Sequence, residues 1–414
     1  MTPRFLNRRL ALLAVLSVAF LSAGTLTAQA SPSDNGPHPN QSEPYVTFVV
    51  FPDTQFETQQ AEGMLNAQVN YVLANRDYLN IVGVLHEGDV VNQVTDKQFA
   101  TARKYFKKLD DADIPMVFAA GNHDIIANGT TSGKTTGRFN SFVAGFPHNQ
   151  PDGKYSSGDY TNTYRLMDVL GSKYLVITLQ FGPTDGMIAW AKSVAAAHKD
   201  ATVMLLTHDY LTQANQIRGA PGNGVESYLP SQMNGSYRNG YTIQQNFVKQ
   251  SSNVRFVFSG HIGVRTRGLK WAVGLRRSTS NAGTATYAMM VNFQIYQNGG
   301  GWTRFVTLYP ASGRVEVVTY SPYQNKQLTD KADKFTLTGV DLGGFAPQQV
   351  PGGVSPGATA PDTPAPATPS PTPTSPGTTA PTTPPDTSSS EPAPTESPTS
   401  TSTSTPSPSS PPSG

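Results

Sequence analysis

Five short apolar runs in this chain each stop in a dense polar cluster, a pattern that predicts buried strands delivering polar groups to one sheet edge. The runs are Tyr45 to Phe51, Ile81 to Leu85, Pro115 to Phe118, Ala201 to Leu206 and Val254 to Phe258. Between the first two, Met64, Ala67, Val69, Tyr71, Val72 and Leu73 predict a sheet-packed helix over Glu57 to Ala74. Asp96 is placed to cap a second helix through Leu109, which completes a βαβαβ start. Further strands are expected over Tyr160 to Met167 and Lys173 to Phe181. A helix is expected over Asp185 to His198, with Ile188, Ala191, Val194 and Ala195 on its apolar stripe.

Beyond Gly263 the period changes to two. Ala288 to Tyr296, Trp302 to Tyr309 and Val315 to Tyr320 are separated by Asn298-Gly299-Gly300-Gly301 and Ala311-Ser312-Gly313. These runs predict hairpins of a second, largely antiparallel sheet. Two long polar segments interrupt the pattern, Ile125 to Tyr160 and Thr212 to Tyr241. Loops of that length are commonly functional, and each follows a polar cluster, so both are expected to wall a cleft. Tyr228, Tyr237 and Arg238 are its candidate substrate contacts.

The two ends of the chain have a different composition. Arg4, Arg8 and Arg9 precede an apolar core from Leu10 to about Leu21, followed by the small-x-small pattern Ala28-Gln29-Ala30. Residues 1–30 are therefore expected to be a removable secretory signal, because the apolar run is shorter than the roughly 20 residues of a membrane span. Asn7-Arg8-Arg9-Leu10 is a partial twin-arginine pattern, which leaves the export route open. Residues 31–43 are polar and expected to be a disordered lead-in, and 44–345 to fold as one domain. Residues 346–414 hold 20 of the 34 prolines with Ser and Thr, too little apolar surface to offset ordering entropy. That tail is either a passive spacer or a stalk of the kind that carries sugars or crosses a cell wall.

With no cysteine, an exported chain has no disulfides, so its fold rests on the core and any bound metal. The formal net charge is +2; without the three signal arginines and the carboxylates of Asp362, Asp386, Glu391 and Glu396 it becomes about +3. No polybasic run or basic helix stands out, so duplex nucleic acid is not an expected partner. A phosphorylated small molecule or extracellular substrate is.

The five clusters carry Asp53-Thr54-Gln55, Gly88-Asp89, Gly121-Asn122-His123-Asp124, Thr207-His208 and Gly260-His261-Ile262-Gly263. In this order they resemble the motifs of the calcineurin-like metallophosphoesterases: Asp-x-His, Gly-Asp, Gly-Asn-His-Asp/Glu, His and Gly-His-x-His. Three match as they stand, while Gln55 and Gly263 replace histidines. The resemblance implies an α/β fold, a four-layer α/β/β/α sandwich of two mixed sheets with a metal cleft at the strand ends.

Hydrolysing a phosphate ester needs a nucleophilic water and neutralisation of phosphoryl charge, and divalent metals supply both. The resemblance implies one metal held by Asp89, Asn122, His208 and His261, a mixed N/O shell suited to Zn, Fe or Mn. A second would use Asp53, Gln55 and the shared Asp89, with no side chain at Gly263. That oxygen-rich half-site favours Mn, Mg or Ca and weaker, exchangeable binding. Arg265 and Arg267 either contact phosphate there or face solvent. His123 matches the family's catalytic histidine, Asn92 stands where some relatives place its acidic partner, and Asp124 braces the loop. The resemblance thus implies an exported phosphomonoesterase or phosphodiesterase, or a catalytically weak relative that binds metal or a phosphorylated ligand. Substrate, metal identity and oligomeric state stay open.

Overall fold

The computed structural model describes residues 35–126, 134–221, 237–263, 269 and 272–343. Residues 1–34, which include the expected secretory signal, residues 344–414, which include the expected disordered tail, residues 127–133 and 222–236 with Tyr228, and the pair Arg265 and Arg267 lie outside the described residues.

Among the described residues, fourteen strands form two mixed sheets. The first holds β1 (Val46–Phe51), β2 (Ile81–His86) and β3 (Met116–Phe118), parallel to one another. In the second, β4 (Gly153–Lys154), β5 (Thr163–Val169) and β6 (Ser172–Leu179) precede the parallel strands β7 (Thr202–Thr207) and β8 (Val254–Ser259). β9 (Val273–Thr279) and β10 (Ala285–Val291) complete this sheet in the order β4-β5-β6-β7-β8-β10-β9. β11 (Thr303–Tyr309), β12 (Arg314–Ser321), β13 (Lys326–Leu328) and β14 (Lys334–Leu337) return to the first sheet, where β11 runs antiparallel to β1.

The helices are α1 (Gln55–Gln60), α2 (Glu62–Ala74), α3 (Asp96–Asp110), α4 (Asn122–Ile125), α5 (Gly137–Ala144), α6 (Asp185–Ala197) and α7 (Gly240–Asn246). Period-two alternation sorts the strand side chains into three apolar interfaces. Val49 and Phe51 of β1 pack with Leu65 and Val69 of α2 and Phe106 of α3. Phe48 and Val50 face inward, where they join Met204 and Leu206 of β7 and Phe256 and Phe258 of β8. Val203, Leu205 and Val257 point the other way, onto Ile188 and Ala191 of α6 and Ile243 of α7. The layers therefore run α/β/β/α, and each large side chain fully buried between them contributes about 1.5 to 3 kcal/mol.

The structure corrects several sequence expectations. The runs beyond Gly263 do not form a sheet of their own. β10 lies parallel to β8, whereas β11 and β12 extend the first sheet. Alternation marks a half-buried strand but does not choose its neighbour. Asn298 to Gly301 is accordingly a crossover between sheets, with all four residues at positive φ, while the turn through Gly313 does join antiparallel β11 and β12. The helix expected over Glu57 to Ala74 breaks at Ala61, whose φ of −138° is not helical. Thr95, not Asp96, caps α3 through Oγ1, which accepts from the Gln98 N–H at 3.3 Å.

Within the expected lead-in, residues 35–43 are packed rather than disordered. Gly36, Pro37 and Pro39 are buried, the Asn40 N–H donates to the Tyr309 hydroxyl at 2.8 Å, and Glu43 pairs with Arg314 at 2.6 Å. Two prolines lower the entropy such a segment must give up to dock. Among the described residues no helix is long and apolar enough to cross a membrane.

Candidate metal centre

Strands β1, β2 and β3 of one sheet and β7 and β8 of the other deliver their carboxyl ends to a common edge, and each of the five clusters begins there. Three small residues let the loops interpenetrate. A Cβ on Gly121 would overlap the backbone and carboxylate of Asp89, and one on Gly260 would overlap the carboxylate of Asp53. Gly88 has φ +100°, and a Cβ there would meet His208 Nδ1 at 2.7 Å. Two side chains of the cluster stand on left-handed backbone, Asp89 at φ 50° and His261 at φ 66°, the kind of conformation that persists where surrounding packing enforces it.

The side chains of Asp89, Asn122, His208 and His261 converge. His208 Nε2 lies 3.2 Å from Asp89 Oδ2 and 3.1 Å from Asn122 Oδ1, and His261 Nδ1 lies 3.0 Å from the same Asn122 oxygen. Asp89, His208 and His261 all offer donor atoms within 4.8 Å of one another. Ligand atoms held about 2.1 Å from one cation stand roughly 3.0 to 3.4 Å apart in octahedral or tetrahedral shells. The observed edges match that spacing. Asp53 sits one step further out: its Oδ2 is 4.0 Å from His208 Nε2, and its carboxylate accepts the His261 N–H at 3.2 Å.

His208 is held in a defined tautomer, because Nδ1 donates to the Glu87 carbonyl oxygen at 2.8 Å and so turns Nε2 toward the cluster. Phe181 packs against both imidazoles, its ring centroid 5.9 Å from that of His208 and 5.1 Å from that of His261. Neither Glu87 nor Phe181 was singled out in the sequence. Glu87 directly precedes Gly88-Asp89, but a backbone carbonyl leaves no signature in residue type.

The electrostatics call for a cation. Burial alone would lower the His208 pKa, but the carboxylates of Asp89 and Asp53 override it and push the ring up to about 10. Burial pushes Asp53 well up, partly offset by His208, with the Asp89 charge adding to the rise. Asp89 resists burial through the His208, His123 and His261 imidazoles and stays ionised well below the usual carboxylate range. Burial, followed by the charge on His208, drives His261 well below its ordinary value. A proton on His208 thus occupies the electrostatic place of a metal ion.

Gln55 supplies a second test of fit. It is buried and its Oε1 has no hydrogen-bond partner, so an amide oxygen is left to satisfy. Together the carboxylates, amide oxygens and imidazoles suit a divalent metal of the Mn, Fe or Zn type.

The remaining predicted residues surround this cluster. The His123 backbone N–H donates to Asp89 Oδ1 at 2.8 Å, and its ring Nδ1 donates to the backbone carbonyl of Asn92 at 2.8 Å. The Asn92 side chain instead donates to Gln59 Oε1 at 2.9 Å, so its amide does not orient the imidazole. Asp124 accepts from the Val91 and Gly121 N–H groups at 3.1 and 2.9 Å, which ties the loop to β2's cluster. Arg238 donates to Asp185 at 2.9 Å, and Tyr237 packs against the first core cluster. His86 is taken up locally: Gly88 N–H donates to Nδ1 at 3.2 Å, and Nε2 lies 2.9 Å from Thr54 Oγ1.

An α/β sandwich that gathers carboxylate, amide and imidazole donors at its strand ends is the framework of a metal-dependent hydrolase. The chain belongs to the calcineurin-like phosphoesterase family, whose model matches residues 46–265. It is similar, at 29% identity over 304 residues, to the uncharacterized protein YvnB of Bacillus subtilis (strain 168). That match covers 70% of this chain and 21% of YvnB, so the chain spans about a fifth of that relative's length. Among solved structures, it is similar to the purple acid phosphatase PPD1 of yellow lupin (Lupinus luteus) seeds. The TM-score is 0.42 at 12% identity, over 73% of this chain and 55% of that one. It is also similar to GAP50, the anchor in the inner membrane complex of Plasmodium. There the TM-score is 0.39 at 11% identity, over 71% of this chain and 88% of that one.

Proposed function

We propose that this chain is a secreted metal-dependent phosphoesterase that hydrolyses phosphomonoesters or phosphodiesters. The observation that carries the reading is the convergence of Asp89, Asn122, His208 and His261 at edges of 3.0 to 3.2 Å in a member of a phosphoesterase family. These four would hold one divalent cation, and Asp53 with Gln55 would present oxygen ligands to a second. When bound, such a cation polarises the phosphoryl oxygens and acidifies a water at neutral pH.

The chain's own contribution is placement and proton handling. Nδ1 of His123 keeps its proton in the bond to the Asn92 carbonyl, so the proton available for transfer is the second one, carried on Nε2 of the imidazolium form. As water adds to phosphorus and the ester P–O bond breaks, the leaving oxygen needs a proton, and His123 Nε2 is the group assigned to deliver it. Asp124 keeps Asn122 and His123 in register by holding two backbone N–H groups of the surrounding loops.

Secretion is proposed from the arginines, apolar core and Ala28-Gln29-Ala30 pattern of residues 1–30. The deciding experiment is hydrolysis of para-nitrophenyl phosphate and bis-para-nitrophenyl phosphate by protein loaded in turn with Mn, Fe, Zn, Mg and Ca. Turnover of either ester, lost on chelation and restored by metal, is expected. Failure with every metal would leave a metal- or phosphate-binding relative instead. N-terminal sequencing of protein recovered from culture medium checks export, with Ser31 expected as the first residue.

A further inference from the structure

We propose that the corner opened by Gly263 is an oxyanion pocket, in which the side-chain amide of Asn292 donates to an oxygen of the phosphoryl group at the metal centre. This rests on the phosphoesterase reading and specifies how the chain compensates for the histidine it lacks.

A side chain leaving Gly263 would run into two residues. An added Cβ would lie 3.2 Å from Ile295 Cδ1, 3.5 Å from Ile295 Cγ1 and 3.6 Å from Asn292 Nδ2. The space an imidazole would take is therefore shared by an apolar wall and an amide nitrogen.

The orientation of that amide is determined by its neighbours. Asn292 is fully buried, its backbone N–H donates to the Ala272 carbonyl at 2.7 Å, and its Oδ1 accepts the Gln294 N–H at 3.0 Å. Flipping the amide would set its NH2 against that N–H, so Nδ2 is the atom facing Gly263. Nδ2 has no hydrogen-bond partner. A buried donor left unpaired is rare and costly, which points to an acceptor that arrives with a ligand.

The sign of the group selects that ligand. An NH2 has no lone pair to give a cation and presents its positive end, so it adds no ligand to a metal held by Asp53 and Gln55 and favours an anionic oxygen. Because Asn292 itself is fully buried, such a donor stabilises phosphoryl charge more than it would in solvent.

Topology brings the pocket to the centre. Asn292 directly follows β10, which runs parallel to β8, so its backbone leaves the sheet at the same edge as His261. The Val291 carbonyl oxygen lies 3.5 Å from the Cβ position of Gly260, the position that also overlaps the Asp53 carboxylate. One tightly held cation on the Asn122 side and one amide donor on the Gly263 side then grip the phosphoryl group between them.

The test uses inorganic phosphate as probe, titrated calorimetrically into the Mn-loaded full-length protein, with bound Mn per chain measured by plasma mass spectrometry. Asn292→Asp keeps the shape but replaces the donor by a carboxylate. Gly263→Ala leaves Asn292 in place and covers its Nδ2 with a methyl group. Each is expected to weaken phosphate binding at least tenfold with the Mn content of wild type. Phosphate affinity within twofold of wild type in both variants would overturn the assignment, and ester hydrolysis by the wild type would still support the phosphoesterase reading. Wild-type protein that neither binds phosphate nor hydrolyses the esters would overturn both.

Discussion

His123 and Asn92 are joined through the main chain: the imidazole Nδ1 lies 2.8 Å from the Asn92 carbonyl oxygen, while the Asn92 side chain turns to Gln59. Substituting the two residues should therefore have very different effects. Asn92→Ala retains the carbonyl and should change kcat by no more than about threefold, whereas His123→Ala should lower it about 100- to 10,000-fold with metal content unchanged. Steady-state kinetics on para-nitrophenyl esters, paired with metal analysis, checks both. A large kcat loss in Asn92→Ala would show that the side chain matters after all.

Gly121 and Gly260 are needed for close approach to Asp89 and Asp53. Adding one methyl group at either position forces a carboxylate away from its partners. Gly121→Ala and Gly260→Ala are expected to fold with reduced stability and to lose at least tenfold in metal affinity. Equilibrium dialysis against Mn reads the loss, and wild-type affinity in both would contradict the packing described.

Metal removal should destabilise the fold. Asp53 and Asp89 are buried together, and burial with the neighbouring Asp89 charge holds the Asp53 carboxyl well above the usual carboxylate range, a penalty that a bound cation would offset. A metal at 100 times its Kd adds about 2.7 kcal/mol by mass action. Chelation should lower Tm by several degrees and added Mn should restore it, with the increment abolished in His208→Ala. Scanning calorimetry with and without chelator measures this, and a Tm indifferent to metal in the wild type would count against the centre.

Away from the centre, Asp333 links stability to pH. Burial raises its pKa from 3.8 to about 6, against the opposing pull of Arg304. Between those values the folded chain keeps a proton that the unfolded chain releases, so stability falls as pH rises through this window, by at most about 3 kcal/mol. Asp333→Asn removes the titration and should flatten that part of the profile. Urea denaturation from pH 4 to pH 6.5 tests it, and a variant with the wild-type slope would rule the residue out.

The strand ends and their polar clusters were legible in the sequence because each is local: an apolar run stops, and its next residues stand at the sheet edge. The clusters that carry Asp89, Asn122, His208 and His261 could be located that way, the four residues themselves being picked out by the family resemblance, whereas the division of β1, β7 and β8 side chains among three cores came from the assembled layers. The partner of β10 was not legible. The same Ala288 to Val291 pattern would serve a hairpin or a parallel neighbour of β8, and only the assembled sheet distinguishes them.

What the chain determined by itself was therefore the inventory of donors and the points along it where strands end. Tertiary structure alone decided that the Glu87 and Asn92 carbonyls orient two imidazoles, and that Asn292 faces Gly263. The reason is physical. Residue type encodes what a side chain offers, but a backbone carbonyl is the same at every position, and the direction of a buried amide is set by the neighbours that crowd it.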